Sequence, residues 1–227
     1  SSRRRHTRCL SDWSSDVCSS DLCLFVLVPL AVTSGARTPR WLPTLAYFAC
    51  LGAGFMLIEV SVLQRFVLLL GHPVYSLTVT LFSLLLGTGL GAAISRRLPV
   101  DGLVRNAALA LVAIAVLALL WVSFVGPVLA WAMPFARGVR IAVAVAALVP
   151  LGALLGIPMP AGLRLLATRS PQLLPWAWGL NGALSVVGAT LAIFVAMNWG
   201  FSRTLQLAAG SYLLGLVALL RAERARS

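Results

Sequence analysis

Long apolar runs separated by short polar or Gly/Pro-containing gaps set the pattern of this chain. Pro43–Leu70 ends at Gly71-His72-Pro73, a helix stop built from a glycine after the last turn and a proline beyond it. Val74–Ile94 follows and closes at Ser95-Arg96-Arg97, and Leu103–Val125 closes at Gly126-Pro127. Val128–Met133 reads as a short interfacial stretch. Val139–Ile157 closes at Pro158-Met159-Pro160, and Trp176–Met197 and Thr204–Leu220 complete the series. Crossing a bilayer takes about 20 apolar residues per helix, so these runs predict six transmembrane helices. They are apolar all round and do not alternate, which argues against the roughly 9–11-residue strands of a membrane barrel. The predicted fold class is all-α, a polytopic integral membrane helical bundle over 43–220 with a polar tail at 221–227. Cys23–Val32 is too short to span, so 23–33 reads as the remnant of a truncated helix, and Ser34–Arg40 as a turn.

Composition sharpens this picture. Hydrophobic residues make up 60% of the chain and charged residues 11%, against roughly 25% charged in a soluble domain. Lysine is absent, so all 18 basic residues are arginine; the acids are Asp12, Asp16, Asp21, Glu59, Asp101 and Glu223. A net charge of +12 raises nucleic acid as a partner. The arginines form no patch among aromatics, however, and beyond residue 22 most sit in gaps between apolar runs. Lipid is therefore the expected partner, and nucleic acid is not. Arg37, Arg40, Arg96, Arg97, Arg105, Arg164, Arg169, Arg221, Arg224 and Arg226 fall on one side of the predicted spans. Arg137, Arg140 and Arg203 fall on the other. The positive-inside bias then predicts a cytoplasmic C-terminus and an external His72. Trp41, Trp131, Trp176 and Trp199 lie at span ends, where an aromatic belt belongs.

Residues 1–22 are of a different kind. They hold three of the acids and a Ser/Arg/Asp mixture without periodicity. Ser2–Arg8 and Ser11–Leu22 resemble the translation of the two constant parts of a short-read sequencing adapter, with Cys9 and Leu10 where its barcode would lie. Such a segment is not selected to fold and is expected to be a disordered, artefactual tail, set aside from fold reasoning. The natural gene is then expected to continue upstream of Cys23. Cys23 and Cys50 stand alone inside apolar runs and suggest neither a metal site nor a disulfide framework.

A few polar residues interrupt the spans. Glu59 is the only acid inside one. An ionisable group at the centre of a membrane helix costs roughly 2.5–3.5 kcal/mol, so it should face protein or water. On a helical wheel it shares a face with Gly52, Phe55, Met56, Val62, Leu63 and Phe66, and Gly52 admits a neighbouring helix there. It has two readings: a proton or substrate contact, or a structural hydrogen bond to the next helix. Arg65 points to another face, away from the spacing of three or four that a same-helix ion pair needs, and is expected to snorkel outward. Gln64 is a candidate for an interhelical bond. His72 and Tyr75 mark the external turn, either as a polar site or as solvated turn residues. Gly87 and Gly91 form a small-xxx-small pair for close helix packing. With Gly89 they spell GxGxG, but no strand precedes it, so a phosphate loop is not expected. Asn181 and Ser185, four apart, are placed to bond a neighbour such as the Glu59 helix. Pro158-Met159-Pro160 ends a helix, though broken helices also line substrate paths. No nucleophile–base pair, metal-ligand cluster or cofactor motif is evident, so no catalytic, metal or cofactor residue is assigned.

Tyr47–Ser83 (YFACLGAGFMLIEVSVLQRFVLLLGHPVYSLTVTLFS) resembles the C-terminal membrane region of bacterial spermidine synthase-like membrane proteins. Leu155–Pro160 (LGIPMP) and Pro175–Gly188 (PWAWGLNGALSVVG) look like later segments of that region, and the resemblance covers most of Tyr47–Leu220. It implies the inner membrane of a bacterium and a Rossmann-like domain upstream, similar to polyamine aminopropyltransferases or SAM-dependent methyltransferases. The SAM-type cofactor would belong to that domain, and the missing helices and domain of the same protein would be partners of this block. The block itself would anchor that domain and offer a substrate path. Two other readings stand beside this. One is a transporter-type bundle, since Gly91–Arg97 (GAAISRR) is similar to the basic loop of major-facilitator transporters without its acidic member. The other is a passive membrane scaffold.

Overall fold

A computed structural model describes residues 41–99 and 102–224. The truncated-helix region at 23–33, the adapter-like tail, Arg37, Arg40, Asp101 and Arg226 lie outside the described residues. Seven α-helices are present among those described: α1 Trp41–Leu70, α2 Pro73–Arg97, α3 Leu103–Ala132, α4 Arg137–Leu155, α5 Pro158–Arg169, α6 Leu174–Trp199 and α7 Phe201–Arg224. A 3-10 turn at Pro171–Leu173 joins α5 to α6, and no strand occurs among these residues. Taking α4 and α5 as one discontinuous crossing of 33 residues, six helical segments are long and apolar enough to cross a membrane. The chain is thus a multi-pass membrane protein with an all-α fold.

Backbone conformation decides where these helices stop. Gly71 (φ 73°) and Gly200 (φ 83°) are the glycines with positive φ among the described residues. A side chain would be strained there, so both break the helix and let α1 turn into α2 and α6 into α7. Gly126 has no such conformation, and the stop expected at Gly126-Pro127 does not form. Instead α3 runs through Pro127 to Ala132 and absorbs Val128–Met133, which is no separate interfacial stretch. Pro127 removes one ladder bond, which membrane helices tolerate where local adjustments re-satisfy the freed groups. Pro158-Met159-Pro160 likewise does not end its span. It breaks the helix at Gly156-Ile157, and Pro158, pre-set for the first helical position, starts α5.

α1 is the central element. It packs most extensively on α6 and α7, while α2 packs on α4 and α3 on α7. Its most apolar window is 56% buried, against 17% for α6, whose remaining surface carries Val186, Val187, Leu191, Ile193 and Phe194 toward lipid. In a membrane, packing contacts rather than hydrophobicity bring helices together, so small residues gather where backbones meet. The α2–α4 seam follows that rule. Gly87 lies against the backbone of Val149 and Gly152, and Gly91 against that of Ala153. From the other side Gly156 meets the backbone of Thr88, and a Cβ on Gly152 would stand 2.8 Å from the Leu84 carbonyl oxygen.

Arginines tie the ends. At the end carrying Arg96, Arg97, Arg169, Arg221 and Arg224 (the arginine-rich end), Arg164 Nη1 donates to the Ser95 carbonyl at 2.7 Å and to Leu98 at 3.1 Å. At the opposite end Arg140 donates to the carbonyls of Leu69, Phe135 and Met133, joining the end of α1 to the α3–α4 turn. These side chains satisfy carbonyls that helix ends leave without partners.

Candidate intramembrane cavity

The helix break opens onto a cavity of about 420 Å³. Leu51, Gly52 and Phe55 of α1 line it, with Leu85, Thr88, Gly89 and Ala92 of α2, Leu155 and Gly156 at the break, and Met159 and Pro160 of α5. Asn181 and Ser185 of α6 and Tyr212 of α7 complete the wall. Most of these positions fall near the middle of their crossings, so the cavity sits at mid-depth. Its volume lies within the roughly 300–1,000 Å³ of small-molecule sites.

The break also supplies chemistry. Pro160 has no N–H to offer the Gly156 carbonyl, and no other hydrogen bond reaches that oxygen among the described residues. Thr88 and Ser185 donate their hydroxyl protons within their own helices, to Leu85 O at 3.0 Å and Asn181 O at 2.7 Å. Their oxygen lone pairs remain available to accept. The Asn181 side chain has no hydrogen-bond partner among the described residues, which leaves an amide that both donates and accepts. Tyr212 adds a phenol hydroxyl; the rest of the wall is apolar and holds no carboxylate.

Of the residues singled out in the sequence, the fold brings Gly52, Asn181 and Ser185 together. A Cβ on Gly52 would collide with the Asn181 carbonyl and come within 2.9 Å of Ser185 Oγ. The bond expected to run from Ser185 to a neighbouring helix instead stays within α6, because a helical serine hydroxyl reaches the carbonyl four residues back, here that of Asn181. Glu59 is half-buried, lies outside the cavity wall and has no ion-pair or hydrogen-bond partner among the described residues. Gln64 is exposed. Arg65 reaches toward the end of α1 and donates to Ser202 Oγ of α7 at 2.9 Å. His72 and Tyr75 are exposed, with ring centroids 6.0 Å apart, and Arg137 lies 5.6 Å over the Tyr75 ring. They form a surface cluster rather than a pocket. Among the described residues no group of three His, Cys, Asp or Glu side chains is placed to hold a metal.

No protein-family model, curated protein or solved structure matches the chain.

Sequence reasoning did not single out Thr88, Gly156, Tyr212 or Tyr47. Tyr47 is buried on α1 and donates from its hydroxyl to the Pro158 carbonyl at 2.7 Å, across the helix break. The Pro-x-Pro signature marked the place but not its partner. Tyr47→Phe removes this bond and is expected to lower stability by about 1 kcal/mol. Detergent-titrated unfolding in mixed micelles measures it, and a midpoint equal to that of the parent protein would show that the tyrosine does not brace the break.

Proposed function

We propose that this six-span block is the membrane module of a spermidine synthase-like membrane protein, and that its mid-depth cavity holds a small hydrogen-bonding solute. In this reading the block lies in the bacterial inner membrane with its C-terminus in the cytoplasm, as the arginine asymmetry supports. It anchors a transferase-type domain of the same protein, to which any SAM-type cofactor belongs, and gives that domain's solute a path. The observation that carries the solute site is the cavity at the broken α4–α5 crossing, since irregular backbone at membrane depth is tolerated only inside protein or along a cavity. The family assignment rests on the Tyr47–Ser83 string.

The lining favours a neutral solute with an apolar body and a hydrogen-bond donor over a polycation. It offers acceptors at Gly156, Thr88, Ser185 and Asn181 but no carboxylate to balance a charge. The same helix break favours a second reading, a transporter-type bundle, because discontinuous helices frame solute sites in secondary transporters.

The test is equilibrium dialysis of the full chain in detergent against labelled small amides, monoamines and spermidine. The expected result is binding of a neutral member, weakened roughly five- to tenfold by Asn181→Leu. Binding that ignores Asn181→Leu, or no binder in the panel, contradicts the proposal. Flux of the binder into proteoliposomes selects the transporter reading, and binding without flux selects the module.

A further inference from the structure

We propose that the Arg169–Glu223 ion pair is a latch that closes the arginine-rich mouth of the mid-depth cavity, with Tyr47 as the plug beneath it. This rests on the reading of that cavity as a solute site. Arg169 ends α5, and Glu223 lies in the last turn of α7. Arg169 Nη1 donates to Glu223 Oε1, and Nη2 to Oε2 at 3.3 Å, so the guanidinium grips both carboxylate oxygens. Each side chain is 27% exposed, which puts the pair at the edge of water.

A second cavity lies directly under this pair. It measures about 90 Å³, room for a few waters. Arg169 and Glu223 line it at one end, and Tyr47 and Phe48 at the other. One turn further along α1 and α5 come Leu51, Gly52 and Met159, and about two turns from Leu219 along α7 comes Tyr212; all four line the mid-depth cavity. The two cavities are stacked on a shared wall of α1, α5 and α7, and the layer between them is the Tyr47–Phe48 pair. Both rings lie against Gly162, where a Cβ would strike the Tyr47 ring and crowd that of Phe48 at 3.1 Å. The Tyr47 hydroxyl is tied to Pro158 at the break. On the route through this mouth, a solute moving from the arginine-rich end to the mid-depth cavity parts Arg169 from Glu223 and then displaces Tyr47. A partly exposed ion pair is weak enough to open thermally and strong enough to bias the closed form. The pair is also the one salt bridge among the described residues, and it joins the two helix ends that frame the mouth.

The experiment measures labelling of Ser185→Cys, in a full chain whose native cysteines are replaced. An impermeant anionic methanethiosulfonate is applied to the arginine-rich side of membrane vesicles. Arg169→Gln and Glu223→Gln should each speed labelling roughly three- to tenfold. Simple attraction of the reagent would move these two variants in opposite directions, so equal signs identify the latch. The double exchange Arg169→Glu with Glu223→Arg should restore the slow rate. Equal rates in the parent and both single variants overturn the latch while leaving the solute site standing. No labelling in any variant, nor after Tyr47→Ala, overturns the solute site and the latch together.

Discussion

Gly91→Ala is expected to destabilise the bundle by about 1–3 kcal/mol, and Gly91→Leu to prevent its assembly. A single methyl group on Gly91 would collide with the Ala153 carbonyl oxygen, and one on Gly87 with that of Val149. The obstacle in each case is helix backbone, which cannot swing aside as a side chain can, so α2 and α4 must separate. That separation forfeits the close van der Waals packing that membrane helices use in place of a hydrophobic drive. Gly89 provides the control on the same helix, because a Cβ there meets nothing within 4 Å. Gly89→Ala should be neutral, or stabilising by up to about 1 kcal/mol, through helix propensity alone. Unfolding in mixed micelles compares the two, and equal midpoints for Gly91→Ala and Gly89→Ala would refute the tight seam.

Arg164→Met should cost about 1.5–3 kcal/mol, the range for hydrogen bonds to a charged donor. Methionine keeps much of the apolar stem but loses both bonds, to the Ser95 carbonyl at the end of α2 and to that of Leu98 just beyond it. It also removes a cation from the negative end of that helix. The neighbouring Ser95 hydroxyl is already buried without a partner, so this helix end has little spare hydrogen bonding to fall back on. Arg164→Lys keeps the charge but not the fixed fork of donors and should recover part of the loss. Hydrogen exchange over 95–98 should rise in Arg164→Met and less in Arg164→Lys. Protection unchanged in both would mean that the carbonyls are satisfied without Arg164.

Which features could be read from residue order follows from how local their causes are. The six crossings were legible because an apolar run of bilayer length carries its own signal. Gly71-His72-Pro73 was legible as a stop because a glycine with positive φ followed by a proline is a local event. Gly126-Pro127 looks similar in sequence, yet Gly126 stays helical and α3 continues to Ala132. Nothing in the dipeptide tells a stop from a tolerated proline. At Pro158-Met159-Pro160 the break was visible but what braces it was not, since Tyr47 meets Pro158 across 111 positions of chain and Gly162 across 115.

The candidate site was half legible for the same reason. Asn181, Ser185 and Gly52 announce themselves as polar or small residues inside apolar spans, and they converge. Thr88 and Tyr212 look like ordinary span residues until α2 and α7 are placed around the break. Glu59, the most conspicuous polar residue in the sequence, stays outside the cavity wall. Arg140, Arg164 and Arg169 could be assigned to a side of the membrane by charge bias alone, but their carbonyl and carboxylate partners lie 5 to 71 positions away.

The central claim is a solute-accessible cavity at mid-depth beside the helix break. Spin labels at Ser185→Cys and Val187→Cys, two residues apart on α6, test it in lipid nanodiscs. Ser185 lines the cavity, while Val187 faces outward with 42% of its surface exposed. The account predicts that a water-soluble nickel complex relaxes the label at 185 and dissolved oxygen the label at 187. A label at 185 that responds only to oxygen, like its neighbour, would contradict it.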